Sequence, residues 1–148
     1  MLVEAQVPIN GSRAAIWAVI TEIENSAETI SGIEHIEVLE RPAHGLAGLR
    51  WRETRMYFGK PAAVEKRITD AAENEFYTTR AESDGFVFIT TMRISETSGG
   101  MTLTGSHDSR PQGIAATLKS LPMVFFKDMI KKTILQDLND MKSAVERV

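Results

Sequence analysis

The chain has 148 residues, of which 43% are hydrophobic, and it carries a formal net charge of −3. A chain of this length is expected to fold as a single domain spanning residues 1–148, large enough to bury roughly two thirds of its unfolded surface and to tolerate an internal pocket. Lysine and arginine residues are scattered along the sequence and form no basic tail. This distribution argues against binding to nucleic acid and against binding to an anionic membrane.

The cysteine count and the N-terminal residues bear on the cellular compartment. The chain contains no cysteine, which excludes disulfides, a thiolate nucleophile and a cysteine-based zinc site. The N-terminus lacks the basic start and the long apolar core of a signal peptide, and no apolar run approaches the length of a membrane span. These features predict a cytoplasmic protein that is not an integral membrane protein.

The first part of the chain is predicted to form one strand and two short helices. Residues 2–9 alternate apolar with polar side chains, which is typical of a strand. Ser12 then follows a turn as the predicted N-cap of a helix, in which apolar residues recur at helical spacing from Ile16 onward. Residues 24–31 predict a second short helix, and Gly32 is placed to end it.

The middle of the chain changes to a period of two and predicts six strands in series. Turn residues divide them, with Ser83-Asp84-Gly85 as a hairpin signal. An antiparallel meander is the simplest connection, and no repeat or linker indicates a second domain. The predicted strands are residues 33–40, 49–58, 64–70, 75–81, 86–95 and 101–108.

Residues 113–148 predict a C-terminal helical region with one apolar stripe. Pro122 predicts a short first helix, a kink near Ser120 and Leu121, and a long second helix. The polar residues between the stripe positions, Asp137 among them, are predicted to face solvent. The stripe consists of Ile114, Leu118, Leu121, Phe126, Ile130, Ile134, Leu138, Met141, Val145 and Val148.

The order of elements predicts an α+β domain in which one face of an antiparallel sheet, of about seven strands, packs against the long C-terminal helix. In this order, and in segments 7–12, 33–40, 48–52 and 98–103, the chain resembles the helix-grip proteins of the START-like, or SRPBCC, superfamily. The resemblance is to the polyketide cyclase/dehydratase and lipid-transport-like branch. It implies a curved sheet that grips the helix, a cavity between them for a small hydrophobic molecule, and no cofactor.

Alternation along the strands assigns side chains to the two faces of the sheet. In strand 49–58 the inward set is taken to contain Trp51 and Tyr57, because burying a large apolar side chain contributes about 1.5 to 3 kcal/mol. The same argument assigns inward residues in strands 86–95 and 101–108, and large side chains of the C-terminal region are expected to roof the cavity. The predicted ligand-binding residues are Trp51, Glu53, Arg55, Tyr57, Phe88, Met92, Leu103, His107, Met123, Phe126 and Ile130.

Charged residues in the predicted cavity leave two interpretations open. Glu53 and Arg55 lie two residues apart on one strand, point the same way and are able to pair. The pair is either structural, or it makes Arg55 the anchor for a carboxylate or phenolate group of the ligand. Glu53 and His107 are the candidate catalytic residues, although a structural role is favoured for His107. The three histidines show no metal-ligand spacing, so no metal site is predicted.

Three functions are compatible with the sequence. The first is binding of a small hydrophobic molecule such as a lipid, a polyketide or an aromatic compound. The second is a cofactor-free cyclase or dehydratase, in which Glu53 or His107 moves protons and Arg55 holds an enolate oxygen. The third is a protein-interaction role, as in superfamily members that activate a chaperone. The sequence leaves the ligand open, and it is compatible with a monomer and with a homodimer.

Overall fold

The computed structural model describes residues 1–147 of the chain. Its elements follow the predicted order of one strand, short helices, six strands and a C-terminal helical region. The strands are β1 (Leu2–Ile9), β2 (Ile33–Glu40), β3 (Arg50–Tyr57), β4 (Lys60–Ala72), β5 (Phe76–Ser83), β6 (Phe86–Thr97) and β7 (Gly100–Pro111). The helices are α1 (Arg13–Ile20), α2 (Ser26–Thr29), α3 (Gly113–Ser120) and α4 (Lys127–Glu146), with 3-10 segments at Ile23–Asn25 and Leu121–Phe126.

The seven strands form one antiparallel sheet in the order β1-β7-β6-β5-β4-β3-β2. Strands β2 to β7 form the predicted meander, and β1 pairs with β7, with Leu2 opposite Asp108. Register shifts in β2 and between Ile68 and Asp70 of β4 bend the sheet. The prediction of an α+β, helix-grip architecture with seven strands and a long C-terminal helix is confirmed.

The predicted and observed element boundaries agree best at β1, β2 and the start of α1. Strands β1 and β2 begin and end at the predicted residues, and the predicted N-cap is present because the Ala15 amide donates to Ser12 Oγ at 3.1 Å. Strand β4, predicted at residues 64–70, is longer because its pairing with β3 continues to Lys60, opposite Tyr57. The helix predicted at residues 24–31 is one 3-10 turn followed by the short helix α2.

The antiparallel connections place the turns at two opposite ends of the sheet. At the first, which we call the α3 end, lie the β3–β4 turn, the β5–β6 turn and the junction between β7 and α3. At the opposite α1 end, β1 leads into α1 and the last turn of α4 is anchored, because the Asn10 amide donates to Glu146 Oε2 at 2.8 Å. Helix α4 therefore runs across the sheet from the α3 end to the α1 end.

The tightest part of the core lies between α4 and strands β1 and β7. Leu138 of α4 and Leu103 of β7 are both 0% exposed. Gly105 of β7 permits this close approach, because a Cβ atom at that position would lie 3.1 Å from Cγ2 of Ile134 and 3.4 Å from Cδ2 of Leu138. The C-terminal half of the predicted apolar stripe, from Ile134 to Val145, packs as predicted.

The N-terminal half of that stripe is not buried, and the prediction is wrong there. The expected interruption at Pro122 is present, but it takes the form of a six-residue 3-10 segment, Leu121–Phe126. A 3-10 helix has three residues per turn instead of 3.6, so it rotates the apolar positions away from the line set by α4. Val148, the last predicted stripe residue, lies outside the described residues. The exposed members of the stripe are Ile114, Leu118, Leu121 and Phe126.

Candidate functional site

Four charged side chains meet on the inner face of the sheet and form what we call the ion cluster: Glu53, Arg55, Lys66 and Asp137. Arg55 Nε donates to Glu53 Oε2 at 2.8 Å, and Arg55 Nη2 donates to Asp137 Oδ2, also at 2.8 Å. Lys66 Nζ donates to Glu53 Oε2 at 2.9 Å. The predicted pair of Glu53 and Arg55 is present, and its partners from β4 and α4 tie the sheet to the long helix.

The electrostatics of the ion cluster favour a structural interpretation of the pair. Burial by itself raises the pKa of Glu53, but the positive charges of Lys66 and Arg55 outweigh burial and lower this pKa to about 2. Burial opposes the charge on Arg55 as well, but its hydrogen bonds to Asp137 and Glu53 raise the pKa of the guanidinium above its ordinary value. Two positive and two negative charges therefore compensate each other, and Glu53 stays ionised, which suits an ion-pair partner better than a proton carrier.

The two aromatic residues predicted to share the inward face of β3 have different environments. Trp51 is 3% exposed, and its Nε1 lies 3.4 Å from Glu53 Oε1, at the long end of hydrogen bonding. Tyr57 is 53% exposed, so its predicted burial is wrong. It pairs with Lys60 beside the β3–β4 turn. Alternation identifies the face of a strand but does not show whether another element covers that face.

His107 lies on the inner face of β7, beside aromatic and hydroxyl groups of β6. Its ring stacks on that of Phe88, with centroids 5.5 Å apart, and its Nδ1 lies 3.1 Å from Thr90 Oγ1. Burial, and then the positive charge of Lys66, lower its pKa to about 4, so the imidazole is neutral near pH 7. Its other nitrogen, Nε2, makes no hydrogen bond within residues 1–147.

Ser109 is a further polar group on this face, two residues beyond His107. The side chain is 3% exposed, and its Oγ has no hydrogen-bond partner within the described residues. A buried hydroxyl without a partner costs free energy, so it marks a place where a ligand or a water molecule gains a hydrogen bond. The predicted strand 101–108 ended just before this residue, although the period of two from His107 points to it.

The remaining predicted ligand-binding residues fall into two groups. Met92 and Leu103 are buried in the core, where Leu103 is enclosed by other side chains. Met123 and Ile130 are half-buried on the C-terminal helical region. Phe126, also predicted for the roof of the cavity, is 49% exposed.

Sequence reasoning missed Lys66 and Asp137 as partners in the site. The period of two places Lys66 on the same face as Ile68, and Asp137 is adjacent to the buried stripe residue Leu138. A stronger reason to expect such partners is energetic, because a buried glutamate and a buried arginine need more hydrogen bonds than their own pair supplies. The predicted solvent exposure of Asp137 is wrong, since its side chain is only 20% exposed.

Two partly open clefts lie away from these residues. One, of about 270 Å³, is at the α1 end and has Ile23, Val38 and Leu49 in its lining. The other, of about 310 Å³, follows the edge strand β1 and includes Lys131 and Leu135. None of the predicted ligand-binding residues lines either cleft.

The lowered pKa of His107 predicts a pH dependence of stability. In the unfolded chain the imidazole takes up a proton near pH 6.5, whereas in the folded protein it does so near pH 4. The unfolded state therefore binds more protons between these values, and the free energy of unfolding should fall as the pH is lowered from about 6.5 to about 4. His107→Phe keeps a ring stacked on Phe88 but has no imidazole to titrate. Urea denaturation between about pH 6.5 and 4 should show that this variant lacks the histidine-dependent fall in the free energy of unfolding. The exposed replacement His35→Phe should retain it, and equal pH slopes for His107→Phe and the wild type would contradict the assignment.

Comparison with known proteins rests on structure. No family model matches the sequence, and no curated protein is detectably similar to it. Three solved structures match at 14% to 17% identity, over 99% of this chain and at least 94% of theirs. They are TTHA0849 from Thermus thermophilus and a START superfamily protein from Mycobacterium smegmatis, each with a TM-score of 0.80, and the Zhui aromatase/cyclase from Streptomyces sp. R1128, with a TM-score of 0.76.

These matches define the fold class of the protein. The chain has the START-like, helix-grip fold, which is also the fold of polyketide aromatase/cyclases, and the resemblance seen in the sequence is confirmed at this level. At such low identity the likeness concerns the fold alone. In residues 1–147, no helix combines the length and the apolarity needed to cross a bilayer.

Proposed function

We propose that this protein binds a small hydrophobic molecule between the sheet and its C-terminal helical region, at the α3 end. The observation that carries the proposal is an incompletely covered stretch of the inner face, which we call the gap, between two covered parts. Phe86 and Ser109 are buried near α3, and Gly105 is buried under α4. Between them Phe88 and His107 are only partly buried, although both lie on the inner face.

The residues that border this gap set the chemistry of the ligand. Phe88 offers an aromatic ring, and the C-terminal helical region has two partly buried apolar side chains, the flexible Met123 and the branched Ile130. The nearest polar groups are neutral: the imidazole of His107, and the unpartnered Oγ of Ser109 in the buried part beside the gap. Arg55 is already engaged by two carboxylates, which lowers its value as the anchor of an acid. A largely apolar ligand with a hydroxyl or carbonyl group fits this lining best.

Ligand entry in this proposal requires the 3-10 segment to move. The segment has no side-chain cap at its N-terminal end, and its apolar residues are largely exposed. Elements with few buried contacts open at the lowest free-energy cost. Movement of Leu121–Phe126 away from the sheet enlarges the gap without disturbing the packing around Leu138.

Phe88→Ala should weaken binding of the neutral fluorescent probe N-phenyl-1-naphthylamine by about tenfold or more, because a buried aromatic contact of this size contributes about 1.5 to 3 kcal/mol. Fluorescence titration gives the dissociation constants. The matched control is Phe76→Ala, since Phe76 lies on the outer face of β5 against Arg93. Equal affinities for the two variants would place the probe outside the proposed gap. Mass spectrometry of an organic extract of the purified protein then identifies a natural ligand.

A cofactor-free cyclase or dehydratase is the second candidate, and His107 is the observation that favours it. A neutral imidazole whose Nε2 has no hydrogen-bond partner among the described residues is able to accept a proton from a bound ligand. Glu53, the other candidate catalytic residue, is held ionised by Arg55 and Lys66 and is the weaker candidate. Binding is the preferred function because it needs only the gap and its lining, whereas efficient proton transfer needs a pKa near the working pH.

A further inference from the structure

The C-terminal helical region exposes an unusual amount of apolar surface before it reaches the core. The large apolar side chains of α3 and the 3-10 segment point into solvent, and Phe125 is 84% exposed. Isolated exposed apolar residues are ordinary, but a contiguous group of this size marks an interaction surface. Its members are Ile114, Leu118, Leu121, Val124, Phe125 and Phe126.

A second apolar protrusion lies at the same end of the sheet. Phe58 occupies the tip of the β3–β4 hairpin with a positive φ of 51° and is 86% exposed. A bulky residue in a left-handed conformation at an exposed tip gains nothing from the fold, which points to a role for its side chain outside the domain. We call Phe58 and the six exposed residues of α3 and the 3-10 segment the docking surface.

The charge around the docking surface is opposite to that of the rest of the chain. Residues 113–132 contain four lysines and one aspartate and carry a net charge of +3, whereas the chain carries −3, so the other residues together carry −6. Lys60 adds a further positive charge beside Phe58, and Asp84 in the β5–β6 turn offsets part of it. The fold adds Lys60 to this cluster, because the sheet brings the β3–β4 turn to the end where α3 begins.

We propose that the docking surface attaches the protein peripherally to a bilayer that contains anionic phospholipid. Aromatic and aliphatic side chains flanked by lysines suit the membrane interface, where the apolar groups enter the acyl boundary and the ammonium groups contact lipid phosphates. The negative remainder of the protein is repelled by the same lipids and therefore orients this end toward the membrane. A bilayer fits better than a protein partner, because the exposed apolar side chains come from separate elements and are accompanied by lysines that suit lipid phosphates.

Membrane attachment at the α3 end would bring the proposed ligand site close to the bilayer. The attachment itself does not require a bound ligand. It also revises the interpretation of the scattered basic residues, which predicted no anionic-membrane binding. Four of the seven lysines already lie together in residues 113–132, and the fold adds Lys60 at the same end.

Co-sedimentation with large unilamellar vesicles tests the proposal. The wild-type protein should bind vesicles of phosphatidylcholine mixed with phosphatidylglycerol about tenfold or more better than vesicles of phosphatidylcholine alone, and added salt should weaken the binding. Phe125→Ser should reduce binding to the mixed vesicles by about tenfold. The double replacement Lys119→Glu with Lys127→Glu should reduce it at least as much. Phe76→Ser and Arg52→Glu, on the outer face of the sheet, should bind as the wild type does.

The outcomes separate this proposal from its alternatives. Absence of wild-type binding to the mixed vesicles overturns it, and so does binding that Phe125→Ser and the lysine replacements leave unchanged. A concentration-dependent dimer that Phe125→Ser dissociates, without vesicle binding, would assign the surface to a second copy of the chain and also overturn it. Circular dichroism establishes that each variant is folded. Retained N-phenyl-1-naphthylamine binding by the double variant at Lys119 and Lys127, which lie outside the 3-10 segment, distinguishes loss of docking from loss of the ligand site.

Discussion

Replacement of Arg55 by methionine is expected to lower the free energy of unfolding by about 3 to 5 kcal/mol, because it leaves two buried or half-buried carboxylates without their shared cation. The Arg55 side chain is 12% exposed and donates to both Glu53 and Asp137. After the replacement, Glu53 retains only Lys66 as a charged partner. Urea denaturation at neutral pH measures the loss.

The matched control for this prediction lies three residues earlier on the same strand. Arg52 also contacts two carboxylates, those of Glu37 and Glu65, but its side chain is 47% exposed. Water screens these pairs, so Arg52→Met should change stability by less than about 1 kcal/mol. Similar losses for Arg52→Met and Arg55→Met would show that burial does not distinguish the two clusters.

Arg55→Lys gives a more specific readout of the same cluster. Lysine keeps the charge but lacks the planar fork that reaches two carboxylates at once. We therefore expect its stability to fall between those of the wild type and Arg55→Met. A stability equal to that of the wild type would mean that charge alone matters at this position.

Leu138→Ala is expected to lower the free energy of unfolding by about 2 to 5 kcal/mol, because it removes apolar contacts and leaves a cavity in a closely packed region. Leu138 is 0% exposed and lies against Gly105, where the sheet and α4 approach most closely. The same substitution at Leu118 of α3, which is 63% exposed, should cost less than about 0.5 kcal/mol. Denaturant unfolding of both variants measures the difference.

This comparison also tests the division of the C-terminal region into a packed part and a free part. A loss at Leu118 comparable to that at Leu138 would mean that α3 is covered in solution. It would then contradict both the exposed docking surface and the gap beside His107. The expected result is a large effect in α4 and a negligible one in α3.

The sequence was sufficient for the order of the elements and for most of the inward-facing residues. Trp51, Glu53 and Met92 are buried as alternation indicated, because a strand has a strict period of two and these positions lie under a covering helix. The same alternation failed for Tyr57 beside the turn. Periodicity reports the orientation of a side chain relative to its own strand and contains no information about what covers it.

The sequence also predicted only part of the candidate site. Glu53 and Arg55 are neighbours on one strand, so local spacing alone predicted their pairing. Asp137 is 82 residues from Arg55 in sequence, and no local pattern connects them. Asp137 favours the structural interpretation of the pair, because it engages the guanidinium that otherwise would be available to a ligand.

What the sequence by itself determined was the α+β class, the seven strands, the Glu53–Arg55 pair and the break at Pro122, since each depends on interactions between near neighbours in the chain. Only the tertiary structure decided that Lys66 and Asp137 complete the ion cluster and that α3 stays exposed. It also decided that Phe58 and Lys60 lie at the same end as the lysines of residues 113–132. These features depend on which distant segments the sheet and α4 bring together, and long-range contacts leave no periodic signal in the chain.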